Sequence, residues 1–133
     1  MTVLIKKLVL NVDKEGRGFE IQGMQKSKLL DKNDVRDIIL QTIRPYKIRG
    51  NHYHLKKTEW FLPIRGTAVL SWSDIDGPDK ERHTSVMKAD FEDLQIYQIQ
   101  PKTCHSITNI SSEDFYMLAI SSEDFNKEDN LSC

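Results

Sequence analysis

The sequence predicts an all-β, single-domain protein, and three observations carry that expectation. Short β-branched and aromatic runs recur at roughly 8 to 12 residue intervals. Gly, Pro, Asn and Asp punctuate them. No stretch shows the 3.6-residue period of a long amphipathic helix. Many short strands with regular turns point to a sandwich or barrel, whose ligand pocket opens between the sheets. At 133 residues the chain has the length of one domain, so residues 1–133 are expected to form a single unit.

Taken in order, residues 3–12 read as a first strand, β-branched and leucine-rich around Lys6-Lys7, and end at the turn-forming Asp13-Lys14-Glu15-Gly16. The apolar edge of residues 1–12 makes this segment a candidate dimer-exchange strand. A short strand around Phe19 to Ile21 precedes a lysine-rich loop over residues 23–34, expected to cover a pocket. Residues 36–43, RDIILQTI, read as a buried strand that Pro45 ends. Strands are expected on both sides of Arg65-Gly66, with an edge or bulge at Pro63, which cannot donate to a ladder. The DIDGPD stretch at 74–79 is a turn, and further strands follow at 84–88, 94–99, 105–110 and 115–121. Residues 126–133 are expected to be a flexible tail.

Lys and Arg number 19 against 20 Asp and Glu, so no basic excess points to nucleic acid or to an anionic membrane, and a small-molecule ligand is the expectation. Lys6 and Lys7 interrupt the N-terminal apolar run and no small-residue cleavage site follows it, which leaves cytoplasm as the expected location. Cys104 and Cys133 show no C-x-x-C spacing, and both are expected as reduced thiols.

The chemistry-bearing stretch is RGNHYHLKKTEWFLPIRG, residues 49–66, with His52, His54 and Glu59 in an H-x-H-x4-E array. A strand shows residues i and i+2 on one face, so His52 and His54 can hold one ion together. Glu59 follows His54 by an odd step, and the spacing predicts a hairpin through Lys56-Lys57-Thr58 that restores it to the same side. His105, which opens an H-x3-N with Asn109, supplies a fourth ligand from a distant strand. Three imidazoles and a carboxylate leave one or two open positions on a divalent metal. His83 follows a charged turn and belongs to no such spacing.

At these residues the chain resembles the cupin superfamily, whose motifs are G-x5-H-x-H-x3-4-E-x6-G and G-x5-P-x-G-x2-H-x3-N. The leading glycine of the first falls on Tyr46, and in the second Gln100 and Lys102 stand at the proline and glycine positions, while all four ligand positions are kept as His52, His54, Glu59 and His105. The Arg49-Gly50-x-His52 step, the tail Glu123-Asp124-Phe125-x-x-Glu128-Asp129 and the segment Arg17-Gly18-Phe19-Glu20 are similar to the dTDP-4-dehydrorhamnose 3,5-epimerase-related group. Within that group the chain is similar to the zinc cupin domain of capsular polysaccharide biosynthesis proteins.

The resemblance implies a jelly roll holding one divalent ion, zinc first and iron, manganese or nickel as alternatives. It also implies epimerase or ketoisomerase chemistry on a nucleotide-linked 4-keto-6-deoxy sugar in surface-polysaccharide precursor synthesis. Arg49 or a lysine of the 23–34 loop is the expected diphosphate partner. In metal-free epimerases the position of His52 is the base, and one lone pair cannot serve both a metal and a proton. The epimerase tyrosine aligns nearer Ala119 than Tyr116, so no general acid carries over. An iron oxygenase at the same ligands and a non-catalytic binding module are the competing classes. A homodimer is expected.

Overall fold

In a computed structural model, residues 2–22, 30–77 and 81–133 are described. Their strands are β1 (Val3–Lys7), β2 (Val9–Val12), β3 (Phe19–Gln22), β4 (Asp37–Ile43), β5 (Ile48–Tyr53), β6 (Glu59–Arg65), β7 (Thr67–Asp74), β8 (His83–Lys88), β9 (Gln95–Ile99), β10 (Thr103–Asn109), β11 (Phe115–Ser121) and β12 (Leu131–Ser132). Only two three-residue 3-10 turns, Lys32–Asp34 and Lys127–Asp129, interrupt them among the described residues. The expected all-β class is therefore observed. The two main sheets run β1-β9-β6-β11-β4 and β12-β5-β10-β7-β8, antiparallel throughout, and β2 and β3 form a separate hairpin. This is a jelly roll, two sheets closing on a shared core.

Period-2 alternation sorts the apolar residues. Phe61, Met117 and Ala119 of the first sheet meet Leu70, Trp72 and Ile107 of the second in the interior. On the outer side of the first sheet, Trp60, Leu62, Ile96 and Ile120 are buried too, packed with Leu8, Leu30 and Leu94 from the connecting segments. That double coverage explains why residues 60–62 of β6 are a continuous buried apolar run.

The 3–12 stretch is two strands rather than one, and the first of them pairs within its own chain, Val3 opposite Ile99 through Lys7 opposite Gln95. β4 differs from its expected burial. It is the last strand of its sheet, paired with β11, and Ile38 and Leu40 are 60% and 62% exposed, because the outer layer built from Leu8, Leu30 and Leu94 covers β6, β9 and β11 and includes no residue of β4. Pro63 behaves as expected: the β11–β6 register slips beside it, Tyr116 facing Arg65 and Met117 facing Pro63. The β9 pairing has already ended at Phe61, so no ladder donor is required of the proline. Most of the lysine-rich 23–34 loop, with its expected role over a pocket, lies outside the described residues.

Two expectations about the end of the sequence are corrected. Residues 126–133 are not a loose tail: Asn126 caps a 3-10 turn, Leu131–Ser132 pairs with Tyr53 and His52 of β5, and Cys133 N–H donates to the Asn51 carbonyl at 3.1 Å. Cys104 and Cys133 are not free thiols but a disulfide, with Cα atoms 6.1 Å apart. The physical reason lies in the hold on β5: Ser132 stands opposite His52, which is opposite His105 on its other side, and Cys133 bonds Asn51 at the bulge, within disulfide reach of Cys104 across that strand.

Candidate functional site

The predicted hairpin between His54 and Glu59 does not form. β5 and β6 belong to opposite sheets, and residues 54–58 carry the chain across the barrel from one to the other. The crossing is tied down by Thr58 N–H to Ser122 Oγ at 2.9 Å and Ser122 N–H to the Thr58 carbonyl at 3.0 Å. Glu59 thus reaches the histidines from the facing sheet rather than from the same one. The expected convergence holds by a different route: ligating atoms of His52, His54, Glu59 and His105 all lie within 4.8 Å of one another.

A bulge aims β5. Arg49 pairs with Ile107, Gly50 with Ser106 and His52 with His105, so Asn51 is the extra residue. Gly50 has φ +113° and Asn51 φ +58°. Residues 49 and 52 would face opposite sides of a regular strand, yet the bulge turns both toward one cavity of about 310 Å³. Gly50 is required there, because a Cβ would lie 2.6 Å from the His105 carbonyl oxygen. Phe61, Ile107 and Met117 form the apolar lining, and Gln41 and Asn130 add amides.

The three imidazoles are held differently. His105 Nδ1 is 2.9 Å from the Thr103 carbonyl, and His54 Nδ1 bonds the Asp129 carbonyl. A carbonyl can only accept, so both rings carry a proton on Nδ1 and present Nε2 to Glu59. Both Nε2 atoms then meet the same Glu59 oxygen, at 3.1 Å from His54 and 3.3 Å from His105. Two nitrogen lone pairs facing one carboxylate repel it, so the arrangement demands a positive charge in its midst, either a proton or a metal ion. His52 stands edge-on to His105 at a centroid distance of 4.8 Å.

The electrostatics follow this geometry. Burial, and then the neighbouring His105 and His54, lower His52 to about 4, so it is neutral near pH 7. Burial also disfavours a charged His54, but its bonds to Glu59 and to the Asp129 carbonyl prevail and raise it. Burial would raise the Glu59 carboxyl, yet hydrogen bonds from His105 and His54 outweigh it and hold the group well below the usual carboxylate range. A permanently ionised carboxylate among imidazoles, two of them anchored through the far nitrogen, is a donor set that suits a divalent first-row metal.

Other sequence-singled residues fall into place around this cluster. Arg49 lines the cavity. Asn109 is fully buried and serves structure: its amide N–H groups donate to the Ile43 and Glu113 carbonyls at 2.9 and 2.7 Å, and its oxygen accepts from Ser111. Tyr116 opens to a different face, beside Pro45 and Arg65. His83 is exposed and stacks on Trp72. Sequence reasoning missed Gln41, Asn130 and above all Asp129, whose carbonyl holds His54. No local pattern marks a backbone carbonyl as a histidine partner.

The family model of the polysaccharide biosynthesis C-terminal domain matches residues 15–131. The chain belongs to that family. A curated relative, the UDP-2-acetamido-2,6-beta-L-arabino-hexul-4-ose reductase of Pseudomonas aeruginosa, is 35% identical over 95 residues, which are 69% of this chain and 24% of the relative. This domain therefore spans about a quarter of that enzyme's length. Among solved structures, the 3'-monoepimerase ChmJ of Streptomyces bikiniensis, in complex with dTDP-quinovose, superposes with a TM-score of 0.82 at 13% identity, over 98% of this chain and 69% of its own. The capsular polysaccharide assembling protein CapF of Staphylococcus aureus gives 0.68 at 23% identity, over 94% of this chain and 32% of its own. The fold of this family member is thus the cupin jelly roll expected from its histidine motifs.

Proposed function

We propose that this domain binds one divalent metal ion, zinc by preference, and acts as an epimerase or ketoisomerase on a nucleotide-linked 4-keto-6-deoxy sugar in surface-polysaccharide precursor synthesis. The observation that carries the metal is the pair of Nδ1-anchored rings, His54 and His105, both aimed through Nε2 at one Glu59 oxygen. The sugar-nucleotide class is supported by the family and by the dTDP-sugar complex of the ChmJ neighbour. The reductase activity of the Pseudomonas relative is not proposed for this domain, since its six glycines form no G-x-G-x-x-G for a dinucleotide.

When bound, the ion supplies Lewis acidity toward a keto oxygen, an effect worth several kcal/mol on the charge that develops during removal of the α-proton. The chain's own residues do the rest. Arg49 offers the cavity a planar cation suited to a diphosphate. The amides of Gln41 and Asn130 provide donors and acceptors for sugar hydroxyls, and Phe61, Ile107 and Met117 exclude water from the apolar side. His52 is lowered to about 4, so its nitrogen lone pair is free at neutral pH while its basicity is poor, which favours ligation over proton abstraction.

Outside the four-residue cluster, the cavity's described lining contains no second acid–base side chain besides Arg49. That observation favours a second reading, a non-catalytic module that binds the sugar nucleotide. The two are separated by incubating the protein in heavy water with a panel of nucleotide-4-keto-6-deoxyhexoses. Deuterium entering C3 or C5 supports the enzyme, and tight binding without exchange supports the module. Elemental analysis tests the metal: about one ion per chain is expected, lost in His52→Ala and His105→Ala, and protein that takes up no zinc, manganese, iron or nickel refutes the site. A homodimer and a cytoplasmic location belong to the same proposal. Sedimentation at micromolar concentration checks the first and fractionation of cells the second.

A further inference from the structure

The segment that follows residue 125 touches the cluster at more points than a covering strand requires. Asp129 is buried and binds three consecutive residues of the crossing: its carbonyl accepts from His54 Nδ1–H, and its carboxylate accepts from Leu55 N–H at 2.6 Å and Lys56 N–H at 3.3 Å. The next residue, Asn130, lines the cavity, and Leu131 and Ser132 pair with Tyr53 and His52. Cys133 then joins Cys104, the residue before His105. A two-residue strand has little hold of its own. The covalent tie therefore fixes the far end of a strap whose near end sets the tautomer and direction of His54.

We propose that residues 126–133 form a redox-latched strap that positions His54, with Cys104–Cys133 as the latch, so that the oxidised chain holds a divalent ion more tightly than the reduced one. The proposal rests on the metal reading above. Opening the latch is a two-electron exchange with a dithiol: its thiolate attacks one sulfur, the S–S bond breaks, Cys104 and Cys133 leave as thiols, and the dithiol closes to its own disulfide. With residue 133 released, β12 is free to leave β5 and take Asp129 from His54. The ring then loses the acceptor that keeps its proton on Nδ1 and its lone pair on the metal side. Asp129 and Cys133 are positioning residues, acting through His54.

The test compares full-length wild type, air-oxidised and free of reductant, with Cys133→Ser and Asp129→Asn. Zinc affinity is read by competition with a chromophoric chelator, and the His54 ring by its nitrogen-bound proton signal in metal-free protein. Wild type should show no free thiols under denaturing conditions. It should bind zinc about tenfold or more tightly than either variant, in the range usual for loss of a partner behind a metal ligand. Its His54 Nδ1–H signal should weaken or vanish in Cys133→Ser; Asp129→Asn keeps the backbone carbonyl that accepts from the ring, so there the signal should weaken only through the looser grip on Leu55 and Lys56. Two free thiols in oxidised wild type, or equal affinities with an unchanged His54 signal, overturn the strap. If oxidised wild type takes up no zinc, the metal reading fails and the ring signal alone decides: its loss in Cys133→Ser sustains the strap, its persistence refutes it. Should Cys133→Ser fail to fold, wild type reduced by a non-chelating phosphine, set against the oxidised protein, gives the same two readouts.

Discussion

Replacing Gly50 by alanine tests the claim that a bulge, and not merely the histidines, builds the cavity. Gly50 sits at φ +113°, outside the small left-handed well that other residues tolerate, at a cost of about 1–3 kcal/mol. The new Cβ would also lie 2.6 Å from the His105 carbonyl oxygen and 2.8 Å from Ser106 Cα, both backbone atoms in a paired strand. Relieving that overlap costs about another 1–3 kcal/mol, for a total of about 2–6. Gly16 supplies the control: its φ is +71° and nothing lies within 4 Å of the added carbon, so Gly16→Ala should cost only about 1–2 kcal/mol. Denaturant unfolding of both variants measures the difference, and a zinc titration shows whether His105 has moved away from His52. If Gly50→Ala is no more destabilising than Gly16→Ala and binds zinc normally, the bulge does not position the site.

Other substitutions probe the scaffold. Asn109→Ala removes the buried donor to the Ile43 carbonyl, a second donor to the Glu113 carbonyl and the acceptor of Ser111 N–H, and should lower unfolding free energy by about 2–4 kcal/mol; a loss under 0.5 kcal/mol would contradict the structural role given to it. Removing the disulfide as Cys104→Ser with Cys133→Ser releases a loop of sequence separation 29 and should cost about 3–4 kcal/mol by chain entropy, visible as a lower denaturant midpoint that wild type reaches only on reduction. Lys102 and Tyr46 adopt φ +63° and +60°, so Lys102→Gly and Tyr46→Gly should each raise stability by about 0.5–1 kcal/mol, the relief of left-handed strain less the added chain entropy. A loss of stability in both would refute that account.

Those last two residues show what the sequence could and could not disclose. They are two of the three positions where a motif glycine is replaced, and there the backbone keeps the left-handed φ a glycine adopts readily; Leu94, the third, has no positive φ. The pattern therefore remained legible through the substitutions because it records a chain path. Strand positions were readable from period-2 alternation, as at β11, whose predicted bounds match the observed Phe115–Ser121. Sheet membership was not. The short polar connection between His54 and Glu59 looks like a hairpin turn, and nothing within it says that the chain changes layer. The same limit hid the β4 edge, since RDIILQTI is equally apolar whether or not a neighbour covers it. The strap was invisible for a related reason: Asp129 acts through contacts with residues 54–56, more than seventy positions earlier.

The layer change at residues 54–58 has a mechanical consequence. His52 and His105 are fastened to one sheet and Glu59 to the other, so an ion held by all of them is a rivet through the barrel wall to wall. Pulling the sheets apart would require releasing it. At a free concentration a hundred times its dissociation constant, such an ion adds about 2.7 kcal/mol against global unfolding. Occupancy can then be followed without substrate or spectroscopic label, as a rise in melting temperature that Glu59→Gln, which leaves the histidines on their own sheet, should blunt.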